Sequence, residues 1–150
     1  MGREKTLMAT LIGFFMLALS VQALAQSDVI EQRQKLMKSN SASAKAINGA
    51  AKSKDYATIE TKAKVIMGNA DKIVGLFPKG STEGKTRATA KIWDNFDKFS
   101  ENPKKLKQAA SDVAAAAAAK DDAAIQTKVK ELGNVCSSCH KEFRAKEYPK

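Results

Sequence analysis

Apolar residues recur at steps of three and four through four stretches of this 150-residue chain, and no stretch shows the period-two alternation of a half-buried strand. Each stretch therefore presents one apolar stripe, which has to be buried against other stripes. The clearest is Tyr56, Ile59, Ala63, Ile66, Ala70 and Ile73, a heptad stripe of the kind found in antiparallel bundles. Asp55 is its candidate cap, and Phe77-Pro78 and Gly80 end it. A first helix is expected from Asp28 as cap, through Val29, Ile30, Leu36 and Met37 toward Ile47. Asn48-Gly49 is its stop or weak point, and its serine-rich middle lowers helix propensity. A third carries Ile92, Phe96, Phe99, Pro103, Leu106, Ala110, Val113 and Ala117. The register survives across Pro103, which predicts one kinked helix; Ser100-Glu101-Asn102 capping a new segment is the alternative. The fourth begins near Asp121 or Asp122 and carries Ile125, Val129, Leu132, Cys136, Cys139 and Phe143. Residues 78–88 are the longest connection. The expected fold is all-α, an antiparallel up-down four-helix bundle.

The first residues stand apart from that pattern. Arg3 and Lys5 precede an apolar run from Leu7 to Leu19, and Ala23-Leu24-Ala25 is an A-x-A cleavage signal. The run is short for a membrane span of roughly 20 residues. Residues 1–25 therefore read as a secretory signal peptide cleaved after Ala25, and residues 26–150 as one exported domain, which in a bacterium means the periplasm.

Both cysteines and the one histidine fall together, as Cys136-Ser137-Ser138-Cys139-His140. C-x-x-C-H is the mark of a covalently attached c-type haem. Two thiols add to the two vinyl groups of one porphyrin, and the adjacent imidazole coordinates the iron. On a helix, positions 136, 139 and 140 share a face. A disulfide over two intervening residues would close a tiny loop and stabilise little. A thioredoxin-like site wants a strand before it, and a closed zinc site wants four ligands. One covalent haem c, with its iron on His140, is the reading that uses every one of these residues. No carboxylate pair or nucleophile–base set points to an enzyme.

The formal net charge is +10. Residues 1–25 hold Arg3, Lys5 and Glu4, a net of +1, so the remainder carries +9. Nucleic acid is discounted as a partner for an exported protein. The basic balance reads either as solvated helix faces or as steering toward acidic redox partners or membrane surfaces. No cluster is denser than Lys104-Lys105-Leu106-Lys107.

A C-x-x-C-H near the end of an all-helical exported chain resembles the class II c-type cytochromes, cytochrome c′ and its low-spin six-coordinate relatives. Arg33-Gln34-Lys35-Leu36-Met37-Lys38 resembles the family's first-helix pattern. Phe77-Pro78 with Lys91-Ile92-Trp93 is similar to its loop and third-helix start, and Cys136 to Arg144 to its attachment segment. The resemblance implies that Cys136 and Cys139 are the thioether links and His140 the proximal ligand. It places Arg33 and Gln34 beside the haem, with Arg33 positioned to pair a propionate, and Arg144 near the proximal face. It brings Thr86 and Arg87 within reach of a propionate, and makes Trp93 and Phe96 core residues. It leaves monomer and homodimer both open.

Met37 divides two mechanisms. It lies four residues after Arg33, on the same helix face. If its sulfur binds iron, the haem is six-coordinate and suited to periplasmic electron transfer, Fe(II) to Fe(III) and back; the spacing favours this expectation. If it only packs, the iron is five-coordinate and open to nitric oxide or carbon monoxide. Two further alternatives stand outside the family: a thiol-disulfide oxidoreductase using Cys136 and Cys139, and a helical adaptor without a cofactor.

Overall fold

The computed structural model describes residues 3–148 apart from Glu83, and for residues 3–26 the helical backbone alone. Its helices are α1 (Arg3–Ser53), α2 (Tyr56–Ile73), α3 (Lys91–Asp94), α4 (Phe96–Ala118) and α5 (Asp122–Phe143), with a 3-10 turn at Val74–Leu76. The expected heptad stripe lies at the centre. Ile59, Ala63, Ile66, Ala70 and Ile73 are all buried, and α2 packs most broadly on α4 and next on α1. Asp55 caps α2 as expected, accepting from the Thr58 backbone N–H at 3.0 Å. Asp121 caps α5 in the same way, accepting from Ala124 N at 2.9 Å.

Chain reversals between neighbouring helices are short. Lys54 and Lys120 adopt left-handed conformations (φ 57° and 54°) at the ends of α1 and α4, and each helix is followed at once by its partner. The packing runs α1 to α2 to α4 to α5, and the ring closes through a much thinner α5–α1 contact. The four long helices form the expected bundle, with α3 as a short addition. Across the α1–α2 seam, Asn69 Nδ2 donates to Ser39 Oγ at 3.1 Å and to Asn40 Oδ1 at 2.8 Å. Asn69→Ala should cost about 1 kcal/mol, the worth of a half-buried hydrogen-bonded amide, read as a lower midpoint in urea.

Three boundaries differ from expectation. Helix α1 neither starts at Asp28 nor stops at Asn48-Gly49. Good helix formers precede Asp28, so in the full chain it is not at a helix end and has nothing to cap. Asn48 turns its side chain back to the Ala44 carbonyl at 2.8 Å, and the helix continues to Ser53. In the third stripe, Pro103 sits inside α4 and the interruption falls earlier, at Asn95 (φ −135°, ψ 49°). Proline deprives the Phe99 carbonyl of its usual donor. Asn102 Nδ2 supplies one instead at 3.3 Å, while also donating to Lys98 O at 2.9 Å, so the helix passes through the proline.

Phe77, Phe99 and Phe143 join the loop entry, α4 and the end of α5 into one aromatic group. Their ring centroids are 4.8 Å apart for Phe77–Phe99 and 5.4 Å for Phe99–Phe143, both edge-to-face. Trp93 is half-buried and donates to the Phe77 carbonyl at 3.2 Å. Phe96, expected in the core, is 38 % exposed instead, because it follows directly on the break at Asn95.

Candidate functional site

Helix α5 delivers the C-x-x-C-H residues. Buried Ile125 and Leu132 fix the helix against the core, and Cys136, Cys139 and His140 follow on its next turns, each half-buried. The cysteines pack at the edge of the core and are not joined to each other. Burial raises the Cys136 thiol above its ordinary value. Burial, then the neighbouring Cys136 and Glu142, push the Cys139 thiol up to about 11. A thiol-disulfide enzyme needs a lowered thiol that is a thiolate at neutral pH. These thiols are shifted the other way, which speaks against the oxidoreductase alternative. His140 is held below the ordinary histidine range by burial and then by the charges of Arg144 and Arg87. It is therefore neutral near pH 7, the form that ligates a metal. Among the described residues no cluster of three or more His, Cys, Asp or Glu side chains is grouped to hold a metal ion.

Helix α1 supplies the opposite wall. Arg33 is only 3 % exposed. Its Nη1 donates to Ser81 Oγ at 3.2 Å, its Nη2 to the Ser81 carbonyl, and its guanidinium lies 4.8 Å from the Phe77 ring centroid. Its Nε has no partner, and no carboxylate among the described residues pairs with it. Burial alone lowers its pKa. Gln34 Nε2 donates to the Lys85 carbonyl at 2.5 Å. Gly84 sits in the left-handed region (φ +99°), a backbone turn that favours glycine. Arg33 and Gln34 thus hold the 78–90 loop. Met37, half-buried, packs against the core.

Thr86 and Arg87, expected within reach of a propionate, each have partners within the protein. Thr86 is buried, and its Oγ1 accepts from Ala88 N at 3.1 Å. Arg87 Nη1 donates to the Lys146 carbonyl at 3.2 Å. Arg144 is exposed and begins an extended segment that bridges back to Ala88.

These features fit a porphyrin. Two thiols and a neutral imidazole on α5, and an uncompensated buried cation on α1, lie on the two long helices whose mutual contact is thinnest. A buried cation without a counter-charge is costly, and a carboxylate would relieve it.

The family model described as Cytochrome C′ matches residues 28–144. The chain belongs to the cytochrome c′ family. It is 35 % identical to cytochrome c′ of Rhodopseudomonas palustris over 147 residues, covering 95 % of this chain and 99 % of the relative. It is 32 % identical to cytochrome c-556 of Agrobacterium fabrum, covering 95 % and 97 %. Among solved structures, a cytochrome c′ with ligand-controlled dimer dissociation superposes with TM-score 0.75 at 25 % identity, covering 81 % and 97 %. A single covalent haem c with iron is the cofactor that defines this family, whose members carry electrons and are not enzymes. Residues outside the motif that sequence reasoning missed are Ser81, which holds Arg33, and the Ala88–Arg144 bridge. Neither carries a sequence signal: one is a serine in a polar loop, the other an isolated backbone contact.

Proposed function

We propose that the chain is a periplasmic cytochrome c′ whose haem is held by Cys136, Cys139 and His140, with five-coordinate iron and a distal face covered by Met37. The observation that carries the reading is the near end-to-end match to cytochrome c′, from the family model and from a relative covered over 99 % of its length. It displaces the six-coordinate form that the Arg33–Met37 spacing favours. Met37 packs at the edge of the core, in keeping with an apolar distal covering. When bound, the haem supplies one-electron exchange and an open iron site for nitric oxide or carbon monoxide. The chain's own part is to fix the imidazole, exclude water with α1 and α4 side chains, and set a crowded apolar distal face. Arg33 supplies a counter-charge for a propionate, with Gln34 tying the loop over it. Export with cleavage after Ala25 leaves α1 beginning at about Gln26, before Ile30, the first buried residue among the described side chains of that helix. Partners are redox proteins of the periplasm or membrane and diatomic gases, and pairing of two copies is part of the same reading.

Electron paramagnetic resonance of the ferric protein tests it. A high-spin signal and a carbon monoxide complex on reduction are expected. Met37→Ala should leave the spin state unchanged and tighten carbon monoxide about tenfold, near 1.4 kcal/mol, by relieving crowding. A low-spin ferric signal that turns high-spin in Met37→Ala would establish methionine ligation instead.

A further inference from the structure

The loop and the C-terminal segment grip one another. Ala88 and Arg144 form an antiparallel bridge, Thr89 N donates to Phe143 O at 3.1 Å, and Ala145 N donates to Arg87 O at 2.8 Å. Backbones paired in this way lie about 5 Å apart, so the clasp crowds charges that are distant in the chain. Lys85, Arg87 and Lys91 come from the loop and the start of α3, and Lys141, Arg144 and Lys146 from the end of α5 and beyond. All are exposed except Arg87, which is half-buried, and none has an ion-pair partner among the described residues. Of the acidic residues in 85–91 and 141–147, Glu142 is taken by Lys98 at 2.6 Å, which leaves Glu147. The two turns at the other end of the bundle are balanced instead. There Lys52, Lys54 and Lys120 face Asp55, Asp121 and Asp122, and Lys54 pairs with Asp122 at 2.6 Å.

A hollow of about 390 Å³ opens in the clasp, lined in part by Thr82, Thr86, Arg87, Glu147 and Tyr148. Arg87 is held fast there. Its Nη1 donates to Lys146 O at 3.2 Å, and its guanidinium lies 5.3 Å from the Tyr148 ring centroid. Its other N–H groups make no hydrogen bond to the described residues. A planar cation fixed in place with donors to spare is the geometry that takes a carboxylate through two parallel bonds. Arginine and tyrosine are also the side chains on which protein interfaces most depend. We propose that the clasp is a docking surface for the acidic face of an electron-transfer protein, one of whose carboxylates seats in the hollow against Arg87. The exposed Lys85, Lys91, Lys141, Arg144 and Lys146 draw that partner in. This rests on Cys136, Cys139 and His140 holding the haem. Arg144 N donates to His140 O at 3.1 Å, so a partner seated on the clasp meets the end of the haem-bearing helix. One electron then passes between the haem iron, Fe(II) to Fe(III), and the partner's own one-electron centre, which is reduced in the same step. A lipid surface fits less well. Basic faces that bind membranes are paired with an apolar face that inserts, whereas the exposed Tyr148 ring already faces the Arg87 guanidinium.

Calorimetric titration of the haem-loaded protein with poly-L-glutamate tests this, at an ionic strength of about 0.1 M, where exposed charges more than about 10 Å apart are screened. Arg87→Gln should weaken binding about fivefold. Glu147→Gln, which removes the competing carboxylate at the hollow, should tighten it about twofold. Lys52→Gln loses the same charge at the other end of the bundle and should change binding less than about 1.5-fold. Oxidation of the ferrous haem by hexacyanoferrate(III), which takes up the electron and becomes hexacyanoferrate(II), should slow about twofold in Arg87→Gln and not in Lys52→Gln. Equal losses in Arg87→Gln and Lys52→Gln would make binding a matter of net charge and overturn the proposal. An unchanged affinity in Glu147→Gln also overturns it, and because Glu147 is exposed that variant decides the matter even if Arg87→Gln does not accumulate. Binding to phosphatidylglycerol vesicles that is lost in Arg87→Gln, with poly-L-glutamate binding unchanged, would assign the surface to a membrane and overturn it as well. A pyridine haemochrome on each variant keeps the two readings apart. Absence of haem sinks the haem assignment, whereas intact haem with unchanged affinity sinks the docking surface alone.

Discussion

Replacing Cys136 and Cys139 together by alanine should abolish covalent haem and leave a bundle destabilised by at least about 3 kcal/mol. The expectation comes from the thin α5–α1 contact, not from the thiols themselves. Helices α2 and α4 pack broadly on both sides of the core, whereas the first and last long helices barely close on each other. Half-buried Met37, Val129, Val135, Cys136 and Cys139 all sit at the edge of the buried cluster. Arg33 would also keep its buried charge with no carboxylate to relieve it. A ligand that binds only the folded state stabilises that state by its own binding free energy, and removing the links forfeits it. The absorbance of a pyridine haemochrome reports attachment, and the urea midpoint reports stability. A double variant with an unchanged midpoint would show that the protein part is self-sufficient, which is the behaviour of a cofactor-free helical adaptor.

Phe99→Ala should cost about 3–5 kcal/mol, the range for truncating a buried aromatic side chain. Phe99 is 3 % exposed and meets Phe77, Phe96 and Phe143, with centroids 4.8, 5.9 and 5.4 Å away. Phe77 cannot fill the void without leaving the Arg33 guanidinium it underlies. The Phe143 carbonyl holds Thr89. The same substitution should therefore loosen both walls of the site, seen as faster amide exchange at Thr89 and Arg144 than in a variant of equal cost elsewhere, such as Ile59→Ala. Equal exchange in the two variants would separate the aromatic group from the site.

The helices were legible in the sequence because a stripe such as Ile59, Ala63, Ile66, Ala70 and Ile73 has only one way to be buried. The haem motif was legible because its chemistry fixes residue type and spacing together. Helix ends were less so. Asp28 has the chemistry of a cap but meets a helix already in progress, and Asn95 breaks the third stripe at a place where the apolar register carries no mark. The loop was opaque for a different reason. Ser81, Lys85 and Arg87 are recruited by residues about fifty positions away, through carbonyls and hydroxyls that every loop possesses. The Arg33–Met37 spacing leans toward ligation, yet one helix face serves ligating and packing alike, so spacing is a weak guide to that choice.

The weak closure between α1 and α5 also bears on how the molecule is made. Hairpins α1–α2 and α4–α5 are joined by connections of a few residues and can form early at little entropic cost. The remaining seam joins elements from opposite ends of the chain, the contact of greatest sequence separation in the bundle. It therefore closes last. If Cys136, Cys139 and His140 hold the haem as proposed, closure of this seam last would let the porphyrin be attached before α1 covers them.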